Sequence, residues 1–217
     1  MRQEDIEYLK HIYSTNKKEY FIYVDLVNAG IPLQYRNFEF SDLTNPQIEQ
    51  SKKKLMSYLD ELATKGLYSP KIRGKGFYIY GSHGSAKTAL VCVFAKEVRR
   101  RTPYSVYYVP FLEMVNSFRD RFYEFIRPNF LIIDDFGNYS VPSILTNEFE
   151  HLIKSRYSKG NPTVITSYLE PTSLGEVFGK GFYSLLFECF YFIDHRKVDD
   201  WRRSGPKRTA PGAKSLR

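Results

Sequence analysis

Gly81-Ser82-His83-Gly84-Ser85-Ala86-Lys87-Thr88 lies between the apolar run Phe77-Tyr78-Ile79-Tyr80 and the apolar-rich stretch from Ala89 to Val98. That order reads as a strand, a glycine-bearing loop and a helix, so that loop N–H groups and a helix N-terminus converge on phosphate oxygens. On this reading Gly81, Ser82, His83, Gly84, Ser85 and Ala86 supply the loop and Lys87 reaches the β and γ oxygens. The Thr88 hydroxyl then holds Mg²⁺. Position 86 departs from the pattern, which has glycine there, and a methyl group crowds the loop if that residue needs φ > 0. A plain glycine-serine turn ahead of a helix is the competing interpretation.

Downstream, Asn129-Phe130-Leu131-Ile132-Ile133-Asp134-Asp135-Phe136-Gly137 is a short apolar run closing on two carboxylates. Buried parallel strands have this composition. Ligands of open α/β sheets sit beyond the carboxyl ends of the strands. Asp134 is therefore placed in the shell of the Mg²⁺, and Asp135 where it orients or deprotonates an attacking water. An Asp-Asp turn closing a core strand is the bland alternative; the independent presence of Lys87 and Thr88 argues against it.

Around these two motifs, strands are expected at 77–80, 105–109, 130–134, 163–167 and 190–194, with helical stretches between them. Strands alternating with helices imply a mostly parallel sheet covered on both faces. Ahead of that core, Asn45-Pro46 opens a helix carrying Ile48, Leu55, Leu59 and Leu62 that stops at Gly66. Residues 3–14 form a weaker amphipathic helix through Ile6, Leu9, Ile12 and Tyr13, read either as a docking element or as an edge helix of the core.

The 217 residues, 42% hydrophobic, suit one α/β domain with short appendages. No stretch approaches a membrane span and the first residues lack a secretory apolar region, so a cytoplasmic protein with no membrane contact is expected. Cys92 and Cys189 lie in apolar surroundings without ligand spacing, the pattern of buried reduced thiols. The net charge of +8 is concentrated at the end: Arg202, Arg203, Lys207, Arg208, Lys214 and Arg217 lie in the last sixteen residues, which hold no acidic partner. Such a segment is expected to be disordered, and either binds nucleic-acid phosphates or serves solubility. Arg99-Arg100-Arg101 ends a helix, where cations complement the C-terminal dipole; a DNA contact competes with that structural role.

Taken in order, four segments resemble the DnaC/DnaI/IstB group of AAA+ ATPases over about residues 29–202. They are Ala29-Gly30-Ile31-Pro32-Leu33-Gln34-Tyr35-Arg36-Asn37-Phe38, the phosphate loop, Leu131 to Gly137, and Arg156-Tyr157 ahead of Asn161-Pro162-Thr163-Val164-Ile165-Thr166-Ser167. The resemblance implies an α/β fold, a P-loop AAA+ core with a five-stranded mostly parallel sheet and little or no C-terminal helical lid. It implies binding of ATP or ADP with Mg²⁺, and loading of a hexameric replicative helicase onto single-stranded DNA during DNA replication. It divides the chain into a short N-terminal helical arm (1–28), an AAA+ ATP-binding domain (29–202) and a basic tail (203–217), with self-assembly through the AAA+ interface. Under it Ile31 to Tyr35 neighbour the base, and Arg119 and Arg121 face DNA. Arg202, in Asp200-Trp201-Arg202, senses the γ-phosphate; membership of the basic tail is the competing account of that arginine.

The chain departs from the group in two informative places. Tyr168 follows Thr166-Ser167 where a polar sensor Asn is usual, and a phenol has a different reach and donor geometry. Lys180 is the sole cation between Gly179 and Leu186, where the group carries arginines, one of them a finger toward the neighbouring γ-phosphate. Loss of a finger removes about 10³ to 10⁵ in rate in other phosphoryl-transfer enzymes, and lysine lacks the bidentate fork. Lys87, Asp134 and Asp135 thus point to a nucleotide switch whose hydrolysis is weak or partner-dependent. Two further readings stay open: an IstB-like transposition helper ATPase, and a non-hydrolysing modulator of a replication assembly.

Overall fold

In the structure, a computed structural model, residues 3–137 and 143–201 are described. Strands β1 (Gly76–Gly81), β2 (Val106–Pro110), β3 (Phe130–Phe136), β4 (Thr163–Ser167) and β5 (Phe190–His195) pair in parallel in the order β2-β3-β4-β1-β5. Each falls on a stretch expected from the sequence, with ends that differ by a residue or two. The parallel α/β core implied by the resemblance is therefore present. β1 sits between β4 and β5, in register Phe77 to Val164 and Phe77 to Tyr191. Its first residue is glycine for a steric reason: a Cβ at Gly76 would lie 1.7 Å from the Thr163 carbonyl oxygen, so β1 and β4 could not approach.

Both faces of the sheet are covered, which explains why its strands read as continuous apolar runs rather than alternating ones. Phe77 and Ile79 join one core with helices α2 (Lys17–Asn28), α3 (Glu49–Lys65) and α4 (Lys87–Arg101); Tyr78 joins the opposite core. That second core is closed by α5 (Phe111–Asn116), α6 (Phe122–Ile126), α7 (Ser143–Ser158), α8 (Pro171–Phe178) and α9 (Lys180–Cys189). The expected stop of α3 is observed, with the Gly66 N–H donating to the Leu62 carbonyl, and a 3₁₀ turn at Pro46–Ile48 leads into it.

The first helix, α1 (Gln3–Thr15), matches the amphipathic segment and is followed by α2, whose Ile22, Tyr23 and Leu26 are buried. The arginine run 99–101 holds α2 in place. Arg99 donates to Asp25, Arg100 pairs with Glu19, Glu39 and Glu97, and Arg101 pairs with Asp60 and Glu97. Of the two roles open to these arginines, the structural one is thus occupied by named carboxylates from α2, α3 and the connecting segment. Cys92 and Cys189 are free and buried, and burial pushes the Cys189 thiol up to about 12. Among the described residues no helix is long and apolar enough to cross a membrane. Arg202, the basic tail and any lid lie outside the described residues.

Candidate nucleotide-binding site

Gly81 ends β1, and α4 begins at Lys87, so the phosphate loop lies at the carboxyl end of β1, an interior strand of the sheet. Ala86, the residue before the helix, adopts φ 62° and ψ 16°. The left-handed conformation foreseen as a problem for a methyl-bearing residue is therefore real, at about 1–2 kcal/mol for an L-residue. It does not close the loop. Lys87 is buried, and its ammonium donates to the carbonyls of Gly81 (2.9 Å) and Ser82 (2.8 Å) and to Ser85 Oγ (3.3 Å). The amine holds the loop's own oxygens around itself.

Across the loop, the Thr88 hydroxyl donates to Asp134 Oδ1 at 3.2 Å, joining the two sequence motifs at one point. Asp134 accepts two more hydroxyls, Thr166 Oγ1 on Oδ1 (2.5 Å) and the Tyr108 phenol on Oδ2 (2.6 Å). Burial raises the Asp134 carboxyl above its ordinary range, and the hydroxyl donors, Thr166 and then Tyr108, oppose that shift. Asp135 faces the other way. A break in the β3–β4 register between Ile133 and Phe136, with Asp135 at φ 57°, turns its side chain out to solvent and the cleft. Its amide donates to Thr166 Oγ1 at 3.0 Å.

The cleft has a volume of about 170 Å³ and is lined by the loop and first turn of α4 from His83 to Ala89, with Tyr35, Asp135 and Trp201 around it. Of the segment expected beside the base, Tyr35 lines the cleft while Ile31 is wholly buried in the core. Trp201, 5% exposed, donates its backbone N–H to the Gly84 carbonyl at 2.8 Å and meets Phe38 edge to face. Tyr168 does not stand free as a polar sensor: its ring stacks on His83 at 5.6 Å and its hydroxyl donates to the Gly137 carbonyl at 2.7 Å.

His195, at the end of β5, supports the loop from behind. Because Ser85 O is a carbonyl, the 2.9 Å contact requires the proton on Nδ1, and Nε2 then accepts from the Ser51 hydroxyl at 2.8 Å. Burial pushes this imidazole down to about 4, with Lys87 adding to the effect and the Ser85 carbonyl opposing it. The unfolded chain takes up a proton near pH 6.5, whereas the folded one resists until about 4. The unfolded state thus binds more protons between those values, and stability present above pH 6.5 is lost as pH falls through the window, by roughly 3 kcal/mol. Denaturant unfolding at a series of pH values should show this loss, and His195→Gln should remove its share of the slope; equal slopes would contradict the assignment.

The donor set fits Mg²⁺. Magnesium takes hard oxygen ligands, usually one or two carboxylates completed by waters and substrate phosphates. Thr88 and Asp134 provide such a pair, and among the described residues no cluster of three or more His, Cys, Asp or Glu side chains forms a self-sufficient metal cage. The structure thus brings together Lys87, Thr88, Asp134 and Asp135 around the loop. It places Arg119 and Arg121 elsewhere, on the α5–α6 connection. There Arg119 pairs with Glu148, and Arg121 pairs with Glu113 and Glu124 while lying over the Tyr107 and Phe125 rings. Tyr108, Thr166 and His195 were not singled out from sequence. Tyr108 and Thr166 come from β2 and β4, which only the sheet order places on either side of Asp134, and His195 comes from β5 at the far edge, where it meets Ser85.

Comparison with known proteins agrees with this geometry. A family described as "IstB-like ATP binding protein" matches residues 73–183, from the approach to β1 into α9. "Replicative helicase loader DnaI" of Bacillus subtilis (strain 168) is 26% identical over 166 residues, 72% of this chain and 49% of that protein. The chain therefore spans about half the length of that curated relative. Among solved structures, one described as "Crystal Structure of the DnaI" superposes with a TM-score of 0.62 at 19% identity, covering 75% of this chain and 93% of that one. The DnaC helicase loader gives 0.59 at 16%, over 70% and 91% of the two chains. AMPPCP-bound DnaA from Aquifex aeolicus gives 0.58 at 19%, over 76% and 50%. At these identities the likeness is one of fold: the parallel α/β core.

Proposed function

The chain belongs to the IstB-like ATP binding protein family, and on that footing we propose that it is a magnesium-dependent ATP switch that loads a hexameric replicative helicase onto single-stranded DNA. The observation that carries this reading is that Lys87, Thr88 and Asp135 line one cleft, with buried Asp134 directly behind it, its Oδ1 3.2 Å from the Thr88 hydroxyl. Loop amides and Lys87 grip the phosphates, Thr88 and Asp134 hold the metal, and the base lies toward Tyr35 and Trp201. When bound, Mg²⁺ neutralises phosphate charge; Asp135, exposed at the cleft rim, orients the attacking water. Engagement of Tyr168 with His83 and Gly137 supports weak hydrolysis, because a side chain spent on those contacts is not poised over a lytic water. Binding survives such a change better than turnover does. Arg202 acts as the γ-phosphate sensor, and the protein works in the cytoplasm.

The N-terminal arm, 1–28, supplies the helicase contact, since Tyr13 and Phe21 are 50% and 59% exposed on α1 and α2. Arg119 and Arg121 present the DNA-facing side; their ion pairs are with half-exposed or exposed carboxylates, which phosphates can replace. Size-exclusion chromatography of the full chain with a hexameric replicative helicase, with and without ATP, tests the reading. A complex is expected, and Tyr13→Ser with Phe21→Ser should abolish it while nucleotide binding persists. A second reading, the transposition helper, is favoured by the family match itself. Its signature is ATP-dependent filaments on double-stranded DNA with no helicase complex.

A further inference from the structure

We infer that Tyr108 is a positioning residue for Asp134, and that through it the end of the N-terminal helical pair is tied to the metal-binding carboxylate; this rests on the proposed Mg²⁺–nucleotide reading of the cleft. Tyr108 lies on β2 and is 6% exposed. Its phenol meets Asp134 Oδ2 at 2.6 Å, in the range of a charge-assisted O–H···O⁻ bond. The two carboxylate oxygens are divided in use: Oδ1 takes Thr88 and Thr166, Oδ2 takes Tyr108. A carboxylate held at Oδ2 cannot swing about its last torsion. Oδ1 is thereby kept on the Thr88 side, where the metal is proposed to sit.

The same residue is held from the opposite direction by its backbone. Tyr108 N–H donates to the Ala29 carbonyl at 2.7 Å, at the point where the chain leaves α2. Gly30 lies so near that a Cβ there would be 2.8 Å from the Tyr108 carbonyl oxygen, and its φ of 82° also favours glycine. β2 is an edge strand, so this segment occupies part of the side on which no strand pairs. The ion pairs Arg99–Asp25 and Arg100–Glu19 anchor α2 on α4. Any displacement of α2 and its exit is transmitted to Tyr108, and from its hydroxyl to Asp134. A partner that moves the arm and the metal–nucleotide complex are then linked reciprocally: each changes the affinity for the other.

The test is a Mg²⁺ titration of the affinity for a fluorescent ATP analogue, on the full chain. Tyr108→Phe keeps the ring and removes the hydroxyl. The Mg²⁺ concentration at half-effect should rise about 10-fold or more, as for other groups that orient a metal ligand, with affinity in chelator unchanged. A merely structural role would lower the melting temperature and weaken binding equally with and without metal. Gly30→Ala perturbs the same strand from the arm side and should shift the midpoint in the same direction; it decides the matter if Tyr108→Phe does not fold. A folded Tyr108→Phe with the wild-type midpoint overturns the inference. Binding by the wild type that ignores Mg²⁺ overturns the metal reading itself, and the two failures are told apart by the wild-type curve.

Discussion

Lys87→Ala should weaken ATP binding roughly 100-fold, because it removes charge-assisted bonds to phosphate oxygens worth about 3 kcal/mol together. In the structure the ammonium is occupied by the Gly81 and Ser82 carbonyls and Ser85 Oγ. Phosphates therefore compete with neutral acceptors for a cation already in place. They win because ionised acceptors form bonds about twice as strong as neutral ones. Fluorescent-analogue titration gives the affinity, and thermal melting without nucleotide provides the control. The variant should still unfold cooperatively without nucleotide, at a temperature lowered by the loss of its bonds to the loop oxygens, and should lose most of the ATP-induced rise; a variant binding within a few-fold of wild type would place the phosphates elsewhere.

The largest effect on stability is expected at Arg156. This side chain is fully buried, and it donates to Thr163 Oγ1 and to the carbonyls of Phe125, Ile126, Pro128, Asn129 and Pro162. It staples the segment entering β3 to the segment entering β4, and so sets the strands that carry Asp134 and Thr166. Arg156→Leu leaves several buried carbonyls without a donor, each at about 1–3 kcal/mol before relaxation. Two or more such carbonyls together give a net loss of about 3–5 kcal/mol, which corresponds to a melting temperature lower by about 6–20 °C for a domain of this size. Arg156→Lys should recover only part of this, since an ammonium cannot span the same fan of acceptors. A decrease of about 2 °C or less in the leucine variant would show that the bonds contribute little.

The sheet was legible because its strands are buried on both faces and stand out as apolar runs, and the phosphate loop because glycine, lysine and threonine punctuate one strand-to-helix turn. What lay hidden depends on strand order. Asp134 was placed from the run that precedes it, but its Tyr108 and Thr166 partners come from β2 and β4, which flank β3 only in the folded sheet. His195 reaches Ser85 across 110 residues. No periodicity reports such a contact. The arginine run 99–101 was ambiguous for the same reason: a helix dipole is visible in sequence, whereas the carboxylates of Asp25, Glu19 and Glu39 that receive those side chains come from distant segments. Ala86 was legible as a question and answered by one torsion angle.

Everything proposed for this chain depends on a triphosphate and its metal being held between the loop at Lys87 and the carboxylate of Asp134. Equilibrium dialysis of labelled ATP, with Mg²⁺ and with a chelator, on wild type and Lys87→Ala is the most direct test. The account predicts saturable binding of one nucleotide per chain, weaker on chelation and largely lost in the variant. No saturable binding, or equal binding by wild type and variant, would contradict it.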